Sequence, residues 1–262
     1  MQTIAVASGK GGVGKSTISL NLAVALARDG VRCGLLDADL YGPDLPAMVG
    51  LTRRRRTKQV EVWSASTEKQ PAVERFGVKL MSAQFLLGED QSLSLTKSLA
   101  TLLLGRMRDG IEWGELDLLV VDLPPGTADL QQLVARHLGL AGVLMIVTPQ
   151  DVAHLDAKKA LTMYRTNDVP ILGGIENMAG LVCPCCGNHV DVFPPCAEER
   201  SIWAAGVERL ASIPMQPAIA QAGEDGTPVV VRDPDGEVSA TFGALAARVL
   251  DRLRTGEQPL QQ

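Results

Sequence analysis

The chain has 262 residues, 46% of them apolar but only 3% aromatic, so a sizeable core must be packed from Leu, Val, Ala and Ile. A formal charge of −5 argues against broad, non-specific nucleic-acid binding, and no apolar run is long enough to span a bilayer. Five cysteines, three of them within residues 183–186, fit a reducing compartment and a metal site better than a disulfide framework.

A strand is expected over Thr3–Ala7, close enough to the N-terminus that no signal peptide is expected before it. The setting expected is soluble and cytoplasmic, with neither nucleic acid nor membrane as partner. Residues 8–17 follow as Ser-Gly-Lys-Gly-Gly-Val-Gly-Lys-Ser-Thr, and Gly9 to Ser16 fit the phosphate-loop pattern Gly-x-x-x-x-Gly-Lys-[Ser/Thr]. Glycines there let successive N–H groups of Gly9, Lys10, Gly11, Gly12, Val13, Gly14, Lys15, Ser16 and Thr17 turn inward around a polyphosphate. Lys15 is placed to reach the β- and γ-phosphates, and Ser16 to ligate Mg²⁺. A helix from about Gly14, running through Thr17–Arg28, adds its positive N-terminal dipole. Ile18, Leu20, Leu22, Ala23 and Leu26 form its apolar face, and Gly30 ends it. The order of strand, loop and helix implies binding of a nucleoside triphosphate.

A second strand, Val31–Leu36, ends in Asp37-Ala38-Asp39. Alternate residues of an extended segment point the same way, so both carboxylates can face the nucleotide. Leu51–Glu74, with Arg53-Arg54-Arg55-Arg56 and Lys58, reads as a solvated loop or a docking patch for an acidic partner. Leu118–Val121 is a continuous apolar run that delivers Asp122 to the carboxyl edge of a sheet, where it would serve the Mg²⁺ site by holding a metal-bound water. Pro124-Pro125-Gly126-Thr127 comes next, and Gly126 can offer its N–H to the γ-phosphate. Strands at Val143–Val147 and Ile171–Ile175 flank a helix over Val152–Thr166, with Asp151 as its N-cap. Leu181–Glu199 reads as an excursion from the sheet, and Val238–Leu253 as a final amphipathic helix packed on the core. Alternating strands and helices predict an α/β, doubly wound, mostly parallel sheet, one P-loop domain over residues 1–262.

Cys183 and Cys186 in Cys183-Pro184-Cys185-Cys186-Gly187 are a Cys-x-x-Cys pair, which can chelate one metal centre but supplies half of the usual four ligands. A two-fold dimer would complete the set, giving a shared and easily released cluster. Alternatively, Cys183, Cys186, His189 and Cys196 could form an intrachain zinc site. Cys33 reads as a small buried hydrophobe, and His137 and His154 carry no assigned role.

The extra Lys10 in Gly-Lys-Gly-Gly-Val-Gly-Lys resembles the deviant Walker A ATPases, which include MinD and ParA. Asp39-Leu40-Tyr41-Gly42-Pro43, Asp122-Leu123-Pro124-Pro125-Gly126-Thr127, Glu176-Asn177-Met178, Cys183-Pro184-x-Cys186-Gly187, Ile213-Pro214 and Gly226-x-Pro228-Val229 together resemble the Mrp/ApbC iron–sulfur cluster carriers over nearly the whole chain. Three places depart from that pattern: the sequence starts at the loop's own strand where the family often carries a small N-terminal domain, so a single domain without that module is expected; Gln91-Ser92-Leu93-Ser94-Leu95 replaces a Trp-Arg-Gly-Pro-Met element; and Ala128 stands for a glycine. The resemblance implies a homodimeric ATPase that holds a [4Fe–4S] cluster between subunits and passes it to apo-proteins. It implies Lys10 acting on the partner's phosphates, Asp39 orienting the attacking water, and Asn177 reading adenine. A ParA/MinD-like positioning or partition ATPase is the alternative from another class.

Overall fold

A computed structural model describes residues 1–51, 69–85, 97–126, 128–183 and 185–256. The basic run at 53–58, the stretch 91–95, Thr127 and Pro184 lie outside the described residues. In chain order the elements begin with β1 (Gln2–Ser8), α1 (Lys15–Arg28), β2 (Cys33–Asp37), α2 (Leu45–Met48), β3 (Gln70–Pro71), β4 (Val73–Arg75), β5 (Val78–Ser82), α3 (Lys97–Asp109) and β6 (Ile111–Glu112). They continue with β7 (Leu118–Asp122), α4 (Ala128–Leu138), β8 (Gly142–Val147), α5 (Asp151–Thr166), β9 (Ile171–Val182) and β10 (His189–Val190). The chain closes with β11 (Arg209–Met215), α6 (Pro217–Glu224), α7 (Val229–Arg232) and α8 (Glu237–Thr255).

The main sheet runs β10–β9–β8–β1–β7–β2–β5–β4, with β11 also paired to β9. Among the described residues its interior pairings are parallel, and only β4 and β10 run antiparallel. This is the mostly parallel α/β sheet the alternation predicts. β2, β7 and β8 are buried at every position because helices cover both faces, which is why they are nearly continuous apolar runs. Cys33 is buried in β2, as a small hydrophobe should be.

Three local expectations differ from what is seen. α1 has more than a buried face: every residue from Ile18 to Leu26 is buried, because α7 and α8 from the far end of the chain pack over its outer side. The polar residues caught inside are satisfied. Asn21 donates to the Thr17 carbonyl at 2.9 Å and accepts from the Val230 N–H at 3.3 Å. Asp151 is the first residue of α5 rather than its cap; Gln150 holds the extended cap conformation. The Asp151 carboxylate is drawn away to the Ala197 N–H (3.2 Å) and Arg200 (2.8 Å). The cysteine segment begins inside the sheet: β9 runs on to Val182, and β10 pairs back on Leu181 and Val182.

Candidate nucleotide and cysteine sites

Strand register builds the first site. Asp122 lies abreast of Val6 on β1 and of Asp37 on β2, so two carboxylates reach the carboxyl edge beside the loop that starts after Ser8. The loop is closed in by its surroundings. A Cβ on Gly9 would lie 2.2 Å from the Asp156 backbone carbon of α5, so only glycine lets β1 pass that helix. Gly14 has a φ of 88° and caps α1; a Cβ there would meet the Asn177 Nδ2 at 2.3 Å. That Nδ2 donates to the Val13 carbonyl at 2.8 Å, so β9 clasps the loop from the side. One N–H of the amide is thus taken; the second N–H and Oδ1 remain, one donor and one acceptor. Gly11 and Gly12 are exposed at the top of the loop, Val13 is buried beneath it, and Ser16 and Thr17 are half-buried.

Charge is concentrated here. Lys15 is only 7% exposed, and Asp37 and Asp122 are fully enclosed. Burial pushes the Asp122 carboxyl up to about 6, against hydrogen bonds from Ser16 and Ser19 and the charge of Lys15. Ser19 Oγ donates to Asp122 Oδ1 at 3.0 Å. Burial, with Asp122 beside it, holds Asp37 well above the carboxylate range despite donation from Ser82 Oγ at 2.8 Å. Burial and their nearness to each other thus disfavour ionisation of both carboxyls, and a cation set among them would favour the charged forms. The oxygen donors of Ser16, Asp122 and Asp37 suit a hard divalent cation, so these residues fit Mg²⁺. Asp39 is half-buried. Its Oδ1 accepts from the Tyr41 N–H (3.2 Å) and the Gly42 N–H (3.1 Å) in the turn after β2, which leaves its second oxygen for the site's chemistry. Asp44 is a further acid near Lys15 and Asp39, raised by burial first and by Asp39 second.

Lys10 Nζ donates to Gln150 Oε1 at 3.1 Å within its own chain. Gly126 has a φ of 65°, and a Cβ on it would lie 3.9 Å from the Gly9 carbonyl oxygen. The structure thus brings Lys10, Lys15, Ser16, Asp39, Asp122, Gly126 and Asn177 around one loop.

The second site is the turn joining β9 to β10. Cys183 N–H donates to the Asn188 carbonyl (2.9 Å) and Gly187 N–H to the Cys183 carbonyl (2.8 Å). Backbone N–H groups of Cys185 and then Cys186 point at the Cys183 sulfur and lower its pKa, so the thiolate form, the one that binds metals, is favoured. Cys185 and Cys186 are exposed. Cys196 is held elsewhere: its N–H donates to the Pro149 carbonyl at 2.7 Å, and burial followed by the Asp151 carboxylate pushes its thiol to about 11. Among the described residues no three His, Cys, Asp or Glu side chains converge on a point that could hold a metal ion. The four-ligand zinc set is therefore not assembled; the short tether to Pro149 draws Cys196 to the start of α5. His154 is a packing residue. Its Nδ1 accepts from the Ile202 N–H at 3.1 Å, and burial lowers its pKa to about 4.

Three residues at these sites carry no signal in the sequence: Gln150, Ser82 and Asp44. Ser19 does carry one, since it lies three positions after Ser16 on the same helix face.

The raised Asp122 carboxyl gives a signed prediction. Its folded pKa of about 6 exceeds the unfolded 3.8, so its contribution to stability is full below about pH 4 and is lost as pH rises through 6. The loss is on the order of 2–3 kcal/mol. In urea unfolding at pH 4.5 and pH 7.5 in EDTA, Asp122→Asn should show a correspondingly smaller loss between the two. An unchanged difference would refute the assignment of that buried charge.

The profile of the ParA-type family described as NUBPL iron-transfer P-loop NTPase matches residues 1–250. An Arabidopsis thaliana iron–sulfur protein required for NADH dehydrogenase is 40% identical over 96% of this chain and 78% of its own length. The iron–sulfur cluster carrier protein of Aquifex aeolicus is 41% identical over 93% of the chain, which spans 65% of that carrier's length. An ADP-bound nucleotide-binding protein from Archaeoglobus fulgidus superposes with a TM-score of 0.74 at 33% identity, covering 92% of this chain and 91% of the other. MinD of Pyrococcus horikoshii superposes with a TM-score of 0.69 at 22% identity over 97% of each chain, a likeness of fold. With the phosphate loop, the paired acids and the cysteine turn all in place, this chain belongs to the family of NUBPL iron-transfer P-loop NTPases.

Proposed function

We propose that this chain is an ATP-hydrolysing carrier that takes up a [4Fe–4S] cluster between two copies of itself and passes it to apo-proteins. The observation that carries the reading is β9. One strand holds the phosphate loop through Asn177 and ends six residues later in the Cys183–Cys186 turn. Such a turn supplies two thiolates, a cubane cluster takes four, and two-fold pairing makes up the difference. Exposed apolar side chains support that pairing: Val182 (45%) and Val190 (47%) beside the turn, and Val152 (56%) and Leu155 (44%) on α5. On transfer, recipient thiolates replace those of Cys183 and Cys186 on iron, and the cluster's electron count is unchanged.

For hydrolysis, the N–H groups from Gly9 to Thr17 and the Lys15 ammonium hold the phosphates. Ser16 and Asp122 would hold Mg²⁺, which neutralises charge on the β- and γ-oxygens when bound. Asp39 orients a water whose oxygen bonds to the γ-phosphorus as the bridging P–O bond breaks, the proton ending on phosphate. Gly126 N–H follows the γ-phosphate, and Asn177 Oδ1 accepts from the adenine amino group. Lys10 leaves Gln150 to reach the partner's phosphates.

The test is anaerobic reconstitution with iron and sulfide, read by metal content and solution mass. A brown dimer with about four irons and four sulfides per two chains is expected. A colourless protein that still binds ATP would favour a MinD/ParA-like switch, and a zinc-loaded monomer an intrachain site. Lys10→Ala should lower turnover, and mixing it with Lys15→Ala chains should restore activity in hybrid dimers. No recovery on mixing would argue against action across the interface.

A further inference from the structure

We infer that Gln131 is a positioning residue for hydrolysis: its buried carboxamide sets the spacing between the phosphate loop and the Gly126 switch, with Tyr164 fixing how the carboxamide is turned. The inference rests on the hydrolysis reading above. Gln131 lies on α4, outside every motif in the sequence, and is 2% exposed. Its Nε2 donates to the Ser8 carbonyl at 3.1 Å and to the Pro124 carbonyl at 3.0 Å. Its Oε1 accepts from the Tyr164 hydroxyl on α5 at 3.3 Å.

Both protons of the amide are therefore used, each on one of the two segments that must hold the γ-phosphate between them. The ladder from β1 to β7 ends with Leu123 N–H donating to the Val6 carbonyl at 3.2 Å. Gln131 takes over beyond that point. Ser8 is one residue before Gly9, Pro124 is two before Gly126, and Gly126 stands beside the Gly9 carbonyl. A shift of either carbonyl thus changes the gap in which the reaction occurs. Turning the amide over would set Oε1 against two carbonyl oxygens, and the Tyr164 hydroxyl opposes that turn by offering its proton to Oε1. Tyr164 is fully buried, and burial raises its pKa, so the hydroxyl stays a donor. No other side-chain type of this size carries two donors and an acceptor on one planar group without charge.

The experiment compares wild type, Gln131→Glu and Tyr164→Phe as full-length chains with Mg²⁺. Glutamate keeps the shape but donates one proton at most, and only when protonated. At pH 8, kcat should fall roughly 10- to 100-fold, the scale of a misplacement near 1 Å. The Kd for fluorescent mant-ADP should stay within about threefold, because the loop's own N–H groups are untouched. As pH is lowered toward 6 the ratio of variant to wild-type kcat should rise, since the protonated acid regains one donor. Tyr164→Phe should lower kcat by roughly threefold to tenfold with its mant-ADP affinity kept. Amide exchange at Leu123 and Gly126, the N–H groups that flank the two prolines, with and without ATPγS, reads the same contact apart from turnover. Protection on binding is expected in wild type and should be lost in Gln131→Glu.

Unchanged kcat and unchanged protection in Gln131→Glu would overturn the inference. So would a parallel fall of kcat, mant-ADP affinity and Tm, which marks a merely structural amide. Wild-type protein that shows the protection yet turns over no ATP would instead sink the hydrolysis reading and leave the spacing role standing on the exchange data.

Discussion

Lys15→Ala is expected to abolish ATP turnover, with a loss of at least about 100- to 1000-fold as for removal of a preorganised charge from a transition state. The side chain is 7% exposed and lies near Asp122 and Asp44, so its ammonium is already desolvated and aimed before nucleotide arrives. Nothing else in the described loop replaces it: Lys10 bonds Gln150 here and, on the reading above, serves the partner's phosphates rather than its own. The substitution has a second effect. Without that cation the Asp37–Asp122 pair loses its nearest positive charge, so the Asp122 carboxyl should titrate above 6 and the apo-protein should unfold more readily at neutral pH than at pH 5. Steady-state turnover and thermal unfolding at the two pH values check both effects. Turnover within a few-fold of wild type would contradict the assigned role of Lys15.

If two copies share a cluster as proposed, Cys183→Ala should lose it altogether while nucleotide binding persists. Cys183 is half-buried at the mouth of the hairpin, and the N–H groups of Cys185 and Cys186 stabilise its thiolate. Removing one thiolate from each copy removes two of four ligands, so iron per dimer should drop from about four to background. Cys186→Ala should behave the same way. Cys185→Ala and Cys196→Ala should retain the brown species, because Cys185 is one of the two residues between the paired cysteines and Cys196 is held at Pro149. Retention of iron by Cys183→Ala, or its loss in Cys196→Ala, would redraw the ligand set.

The features of the fold and site that can be read in advance are those written locally. Strand, loop and helix at residues 3–28 form one continuous signal, and Asp37 and Asp122 announce themselves by ending apolar runs. What escapes such a reading is written across long separations. Gln131 meets Ser8 across 123 positions, and Lys10 meets Gln150 across 140. A glutamine on a helix, here one of the adjacent pair Gln131-Gln132, has no periodicity to betray such partners. The burial of α1 on all sides depends on α7 and α8, which come from the far end of the chain. Resemblance places Asn177 on a base; the fold adds a contact across 164 positions, in which one N–H of its amide donates to the Val13 carbonyl.

Between its clasp on Val13 and its cysteine tip, the backbone of β9 turns left-handed at Met178 (φ 58°) and again at Gly180 (φ 79°), and β11 skips register beside it. Holding Met178 in that conformation costs on the order of 1 kcal/mol. The tip is therefore attached to the loop by a cranked lever rather than a straight rod. A small tilt at the phosphate end would swing the thiolates sideways instead of pushing them along the strand, and sideways travel is what would pull apart a pair of copies gripping one cargo.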